Sequence, residues 1–249
     1  MSGHNRWSKI KRKKGADDAK RGKIFTKIGR DISTAARLGG GDPNGNPALR
    51  LALAAARAAN MPKDTQERAI KKGTGELAGA DPEDLVYEGR GPKGSAFVVE
   101  VLTDNKNRAV QEVRHAFVRG GGELLSNGAV AWMFDRTGVV TVAKDKIDED
   151  GLTERAIDLG AADVKDLGEE WIVLCDPGSL VAVQTGLEDL APSSAETRWL
   201  TKPENALAVA GDDAVKIAKL LALLDELDDV QNVYTSAEIP DDILQEHGP

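Results

Sequence analysis

Residues 138–200 read GVVTVAKDKIDEDGLTERAIDLGAADVKDLGEEWIVLCDPGSLVAVQTGLEDLAPSSAETRWL. Strand signals fall at 139–143, 163–166, 171–175 and 196–200. Helical spacing falls at 149–159 and 179–190. Pro177-Gly178 marks the turn into the second helix. The order is strand, helix, strand, strand, helix, strand, which is the ferredoxin-like βαββαβ unit.

The flanks of this unit belong together. On the N-terminal side, strands are expected at 85–88 and 95–102, joined by the Gly-rich turn 89–94. A helix follows Asp104-Asn105, with Val110, Val113, Phe117 and Val118 as core residues. Gly120-Gly121-Gly122 ends it, and a further strand is expected at 129–134. On the C-terminal side, a helix at 212–227 and a strand at 232–237 complete the same domain. The βαββαβ unit is therefore read as an insertion, residues 136–204, in a central α/β domain of residues 77–135 plus 205–240. Residues 241–249 read as an acidic tail. Asp104, Asn105 and Arg108 could form a polar catalytic cluster, but a capped helix start accounts for them better. Cys175 lies in the apolar run 171–175 and reads as a buried small hydrophobe.

Charge divides the chain further. The whole has 33 Lys+Arg against 41 Asp+Glu, net -8. Residues 1–72 hold 18 of those cations and only 6 of the acids, a net of +12, so the remainder carries -20. Such segregation suggests a basic element that meets a polyanion. Arg6, Lys9, Lys11, Arg12, Lys13 and Lys14 make an extended basic arm around Trp7, an aromatic that could stack on a base or pack on the protein itself. A helix is expected over 17–38, capped by Asp17 or Asp18 and stopped by Gly39-Gly40-Gly41. Ile24, Ile28, Ile32 and Ala35 form its apolar stripe. Lys20, Lys23, Lys27, Arg30 and Arg37 form a separate cationic one. Asn46-Pro47 starts a second, alanine-rich helix to about residue 59, and Pro62 begins a third. Residues 1–76 therefore read as a small three-helix basic domain, and the fold class as α+β. The acidic runs 148–150, 169–170, 225–229 and 241–242 read as solvated faces.

No apolar run is long enough for a membrane helix, and no apolar signal core opens the chain. His4, His115 and His247 have no partners at metal-ligand spacing, so neither metal nor cofactor is expected. No nucleophile elbow or phosphate loop is present, and no catalytic residue is assigned. The expectation is a non-catalytic, cytoplasmic monomer.

GHNRWSKIK, DAKRGKIFTKIGRDISTAAR, GGGDPNGNPALRLA, ARAANMPKDTQERAIKKGTGE, YEGRGPKG and LTDNKNR resemble the YebC/PmpR family, over nearly the whole chain and most densely at residues 3–76. Arg90 and the stretch Glu123-Leu124-Leu125 depart from the family pattern. The resemblance implies a helical first domain and two α/β domains in an open, three-lobed shape. It implies either of two activities. One is transcriptional regulation by binding duplex DNA. The other is translation activation on the ribosome, with the basic domain on ribosomal RNA. In either case Arg6, Trp7, Lys9, Lys11, Arg12, Lys13, Lys14, Lys20, Lys23, Lys27 and Arg30 are the expected nucleic-acid contacts. Phe97 and Trp132 are candidate base platforms for an RNA reader, though core packing explains them more simply.

Overall fold

The structure is a computed structural model that describes residues 18–77 and 83–249, with side chains in the first helix from Ile24 onward. The first helix, α1 (Asp18–Gly39), is followed by α2 (Pro47–Ala58) and α3 (Lys63–Gly73). Gly40 takes the left-handed conformation (φ 84°) that ends α1, and its N–H donates to the Ala36 carbonyl. Asn46 caps α2, accepting from Leu49 N–H at 3.1 Å, while its amide donates to the Ala35 and Gly40 carbonyls. One side chain thus ties the α1–α2 loop at both ends. Ile32, Ala35, Ala36, Leu49, Leu53, Ala56 and Met61 form the buried core of this domain. The small residues let the helices approach closely. A Cβ at Gly73 would lie 2.2 Å from the Ser33 carbonyl oxygen, so only glycine fits where α3 crosses α1.

The expected stripe on α1 holds at three of its four positions. Ile28, Ile32 and Ala35 pack inward, but Ile24 is exposed and Phe25 takes its place beside the core.

The central domain is built on a four-stranded antiparallel sheet in the order β3-β1-β2-β9: β1 (Glu83–Arg90), β2 (Ala96–Thr103), β3 (Glu123–Leu125) and β9 (Val230–Thr235). Phe97, Val99 and Val101 alternate along β2 and meet α4 (Lys106–Arg119) and α7 (Gly211–Asp225). Phe117 of α4 sits edge-on to Phe97, ring centroids 5.8 Å apart. Gly89 of β1 lies under that ring: an added Cβ would be 2.2 Å from Phe117. A short parallel pair, β8 (Leu207–Ala208) and β10 (Ala237–Glu238), closes the domain. Residues 241–249 do more than trail as an acidic tail. They contain α8 (Asp241–His247), whose Leu244 is buried in the central core.

The inserted unit comprises β4 (Phe134–Ala143), α5 (Glu149–Asp158), β5 (Asp163–Asp166), β6 (Glu170–Cys175), α6 (Leu180–Gly186) and β7 (Ser194–Thr201). Its sheet order is β5-β6-β4-β7, with β6 antiparallel to both β4 and β5, the ferredoxin-like arrangement. Asp148 caps α5 by accepting from Gly151 N–H at 2.9 Å. Cys175 is buried, and burial beside Asp176 pushes its thiol pKa up, leaving it an inert packing residue. The chain divides into two compact units, residues 134–200 and the flanking segments. The flanking segments meet where the insertion leaves and returns: the Met133 carbonyl accepts from Lys202 N–H at 3.0 Å and from the Asn205 amide.

One further local expectation is overturned, and one element is new. Residues 129–134 do not form a separate strand; they make a 3-10 turn (Ala131–Met133) before β4 begins at Phe134. The cause is Glu88, a carboxylate only 4% exposed. It accepts from the backbone N–H groups of Gly128, Val130 and Ala131, the last two at 2.7 Å. Those donors are therefore lost to any strand ladder. The short β3 was not expected at all. It registers Glu123 opposite Arg90, so the two departures from the family pattern face each other with opposite charge across one strand pair.

Candidate nucleic-acid interface

Arg6, Trp7, Lys9, Lys11, Arg12, Lys13 and Lys14 lie outside the described residues. Lys20 and Lys23 lie on the backbone of α1, where the side chains are not described. Lys27 and Arg30 are described, and they already have anionic partners. Three residues apart on a helix, they share one face. That face meets the corner where α7 ends and β9 begins. Lys27 Nζ lies 2.9 Å from the Asp225 carboxylate and 3.2 Å from the Asp225 carbonyl. Arg30 donates to the Asp228 carbonyl and, at 2.6 Å, to the Asp229 carboxylate.

Local sequence explains why this corner attracts cations. Asp225 is the last residue of α7, where helix carbonyls lack intrahelical donors and the macrodipole is negative. The run Asp225-Glu226-Leu227-Asp228-Asp229 adds carboxylates to that end.

Asp229 is the hub, with a side chain only 3% exposed. One carboxylate oxygen accepts from Arg30; the other accepts from Thr103 Oγ at 2.8 Å and from Arg108 at 2.9 Å. Its own carbonyl accepts from Leu102 N–H. Burial pushes its carboxyl pKa up, but the hydrogen bonds from Arg108 and Thr103 and the charges of Arg30 and Arg108 outweigh burial and hold it below the usual range. Asp229 therefore stays ionised and joins α1, β2, α4 and β9. Sequence reasoning took this acidic run for a solvated face. Arg108 was placed correctly at a capped helix start: Asn105 accepts from Arg108 N–H at 3.1 Å. Its side chain, however, crosses to Asp229.

The two candidate base platforms separate. Phe97 is fully buried in the central core. Trp132 is 59% exposed, with its ring N–H donating to the Ala129 carbonyl. Elsewhere on the helical domain, Arg50 holds the α1–α2 loop by donating to the Pro43 and Asn44 carbonyls, while Arg57, Lys71 and Lys72 are exposed. Among the described residues, no group of three or more His, Cys, Asp or Glu side chains is placed to hold a metal ion. No described helix is long and apolar enough to cross a membrane.

Known proteins extend this picture. Residues 5–76 match a family model described as the TACO1/YebC protein N-terminal domain. Residues 82–237 match one described as the TACO1/YebC second and third domain. A "probable transcriptional regulatory protein" of Desulfatibacillum aliphaticivorans is 54% identical over 99% of this chain and 100% of its own length. A protein of the same description from Geobacter sulfurreducens is 48% identical over 96% of each chain. The crystal structure of a conserved hypothetical protein from Aquifex aeolicus superposes with a TM-score of 0.79 at 44% identity, covering 92% of this chain and 94% of that one.

Proposed function

The chain belongs to the TACO1/YebC family, and on that premise we propose that it regulates gene expression by binding nucleic acid, without catalysis. The basic helical domain grips phosphates, and duplex DNA is the target. The observation that carries this reading is the segregation of charge: net +12 in residues 1–72 and -20 in the rest of the same chain. Phosphate contacts supply affinity and register, and little sequence information. The names of the relatives support a role in transcription.

Lys27 and Arg30 are engaged by carboxylates; in this reading the arm (Arg6, Lys9, Lys11, Arg12, Lys13, Lys14, with Trp7 among them), Lys20 and Lys23 contact phosphates together with them. The test is competition among short duplex DNA, structured RNA and ribosomes over a salt series. Duplex DNA should bind with log K falling by about 0.9 per phosphate contacted for each unit of log salt. Replacing the six arm cations with glutamine should weaken binding and flatten that slope by about 0.9 for each phosphate no longer neutralised. Unchanged affinity would refute the basic surface. Ribosome capture that duplex DNA cannot compete away would move the target to ribosomal RNA.

A further inference from the structure

The face of α1 that carries Lys27 and Arg30 meets, inside the chain, a set of oxygens that resembles a phosphate backbone in kind. Each cation takes one carboxylate oxygen and one carbonyl oxygen. We propose that the α7–β9 corner (Asp225, Asp228, Asp229) is an internal competitor for nucleic-acid phosphates: it holds Lys27 and Arg30 until a polyanion displaces it. This rests on the proposed function, since it concerns regulation of the same basic surface.

The hydrogen bonds of the corner suit reversible release. Asp229 is the buried partner, and losing it to solvent would be costly. Yet when Arg30 leaves, Asp229 keeps Thr103 and Arg108 as donors. No buried charge is stranded. Asp225 is nearer to water, with 17% side-chain exposure, and Lys27 has 13%. Both are therefore in partial contact with water already.

Two consequences distinguish a competitor from a plain structural contact. Nucleic acid must displace the corner, so the measured affinity is reduced by the fraction of molecules in which the cations are free. The counterions released on binding come from the nucleic acid, one set for each phosphate neutralised, so a cation still held by a carboxylate adds nothing to the salt slope. Freeing them should therefore tighten binding and steepen the slope together.

The test uses the full chain, with short duplex DNA and inorganic polyphosphate as probes. Asp225→Asn keeps the side-chain shape and removes the charge facing Lys27. It should tighten DNA binding by about 2- to 10-fold and steepen the salt slope by about 0.9. Asp189→Asn removes the same charge from a carboxylate paired with Arg155 in the inserted unit, and should leave affinity unchanged. Hydrogen exchange at residues 225–230 in the wild type should speed up when either probe is added. Asp229→Asn would free Arg30 as well. Should that variant fold poorly, Asp225→Asn and the wild-type exchange experiment still decide the matter. Equal affinity and slope for Asp225→Asn and wild type, with unchanged exchange at the corner, would overturn the competitor. So would equal tightening by Asp189→Asn, which would reveal only a general charge effect. Polyphosphate-induced opening without binding of DNA, RNA or ribosomes would keep the competitor and sink the proposed function instead.

Discussion

Removing the carboxylate of Asp229 should cost the protein about 2–4 kcal/mol of stability, and the structure says where that comes from. Three side-chain donors converge on it: Arg30, Thr103 and Arg108. A hydrogen bond to a charged acceptor contributes about 1.5–3 kcal/mol, but these three do not add. The Arg30 and Arg108 side chains are 22% and 46% exposed, so water can replace their lost partner and their share falls toward that of a surface pair. Thr103 is 1% exposed. Its hydroxyl would be left without its acceptor in a dry site, at a cost of about 1–3 kcal/mol. Asp229→Ala should therefore lower the unfolding free energy by the figure above. The assay is urea denaturation, with the m-value checked for constancy. A loss under about 1 kcal/mol would refute the hub.

The same carboxylate predicts a pH dependence. Its folded pKa is depressed, so as pH falls the unfolded chain takes up the proton before the folded one does. Its stabilising contribution is complete above the ordinary carboxylate value of about 4. It disappears as pH falls through the lower folded value. Asp229→Asn should flatten this acid limb, and parallel acid limbs for variant and wild type would count against the assignment.

Glu88→Ala removes the acceptor for three backbone N–H groups. It should destabilise by about 2–4 kcal/mol and speed hydrogen exchange at residues 128–131; protection that persists there would mean the loop is held by something else. Gly73→Ala forces α3 away from Ser33 and should cost about 2 kcal/mol or more, through overpacking. A neutral result would show that the helices can slide apart freely. Excising residues 134–200 and bridging Met133 to Thr201 with a short Gly/Ser linker should leave a cooperatively folding remainder, because the flanking backbone already meets at the Met133–Lys202 hydrogen bond. A featureless unfolding curve would refute that independence.

Much of the architecture was legible in local patterns. The βαββαβ order of residues 138–200 is written in alternating strand and helix signals, each of which needs only neighbours in sequence. Asn46-Pro47 and Gly39-Gly40 marked helix ends because caps are local chemistry. The failures were just as physical. Residues 129–134 looked like a strand until Glu88, far back in the sequence, took their N–H groups. The stretch at 123–125 was too short and too weakly patterned to announce β3, which exists because β1 offers it an edge.

The sequence by itself determined the charge asymmetry, the class of each long element and the presence of a basic helix. It could not determine what that helix faces. An aspartate in Asp225-Glu226-Leu227-Asp228-Asp229 looks the same whether it meets water or Arg30. The tertiary structure decided this by bringing residues 30, 103, 108 and 229 to one point. Periodicity reports which side of an element is apolar. Pairing between charges depends on distance in space, and only the folded chain sets that distance.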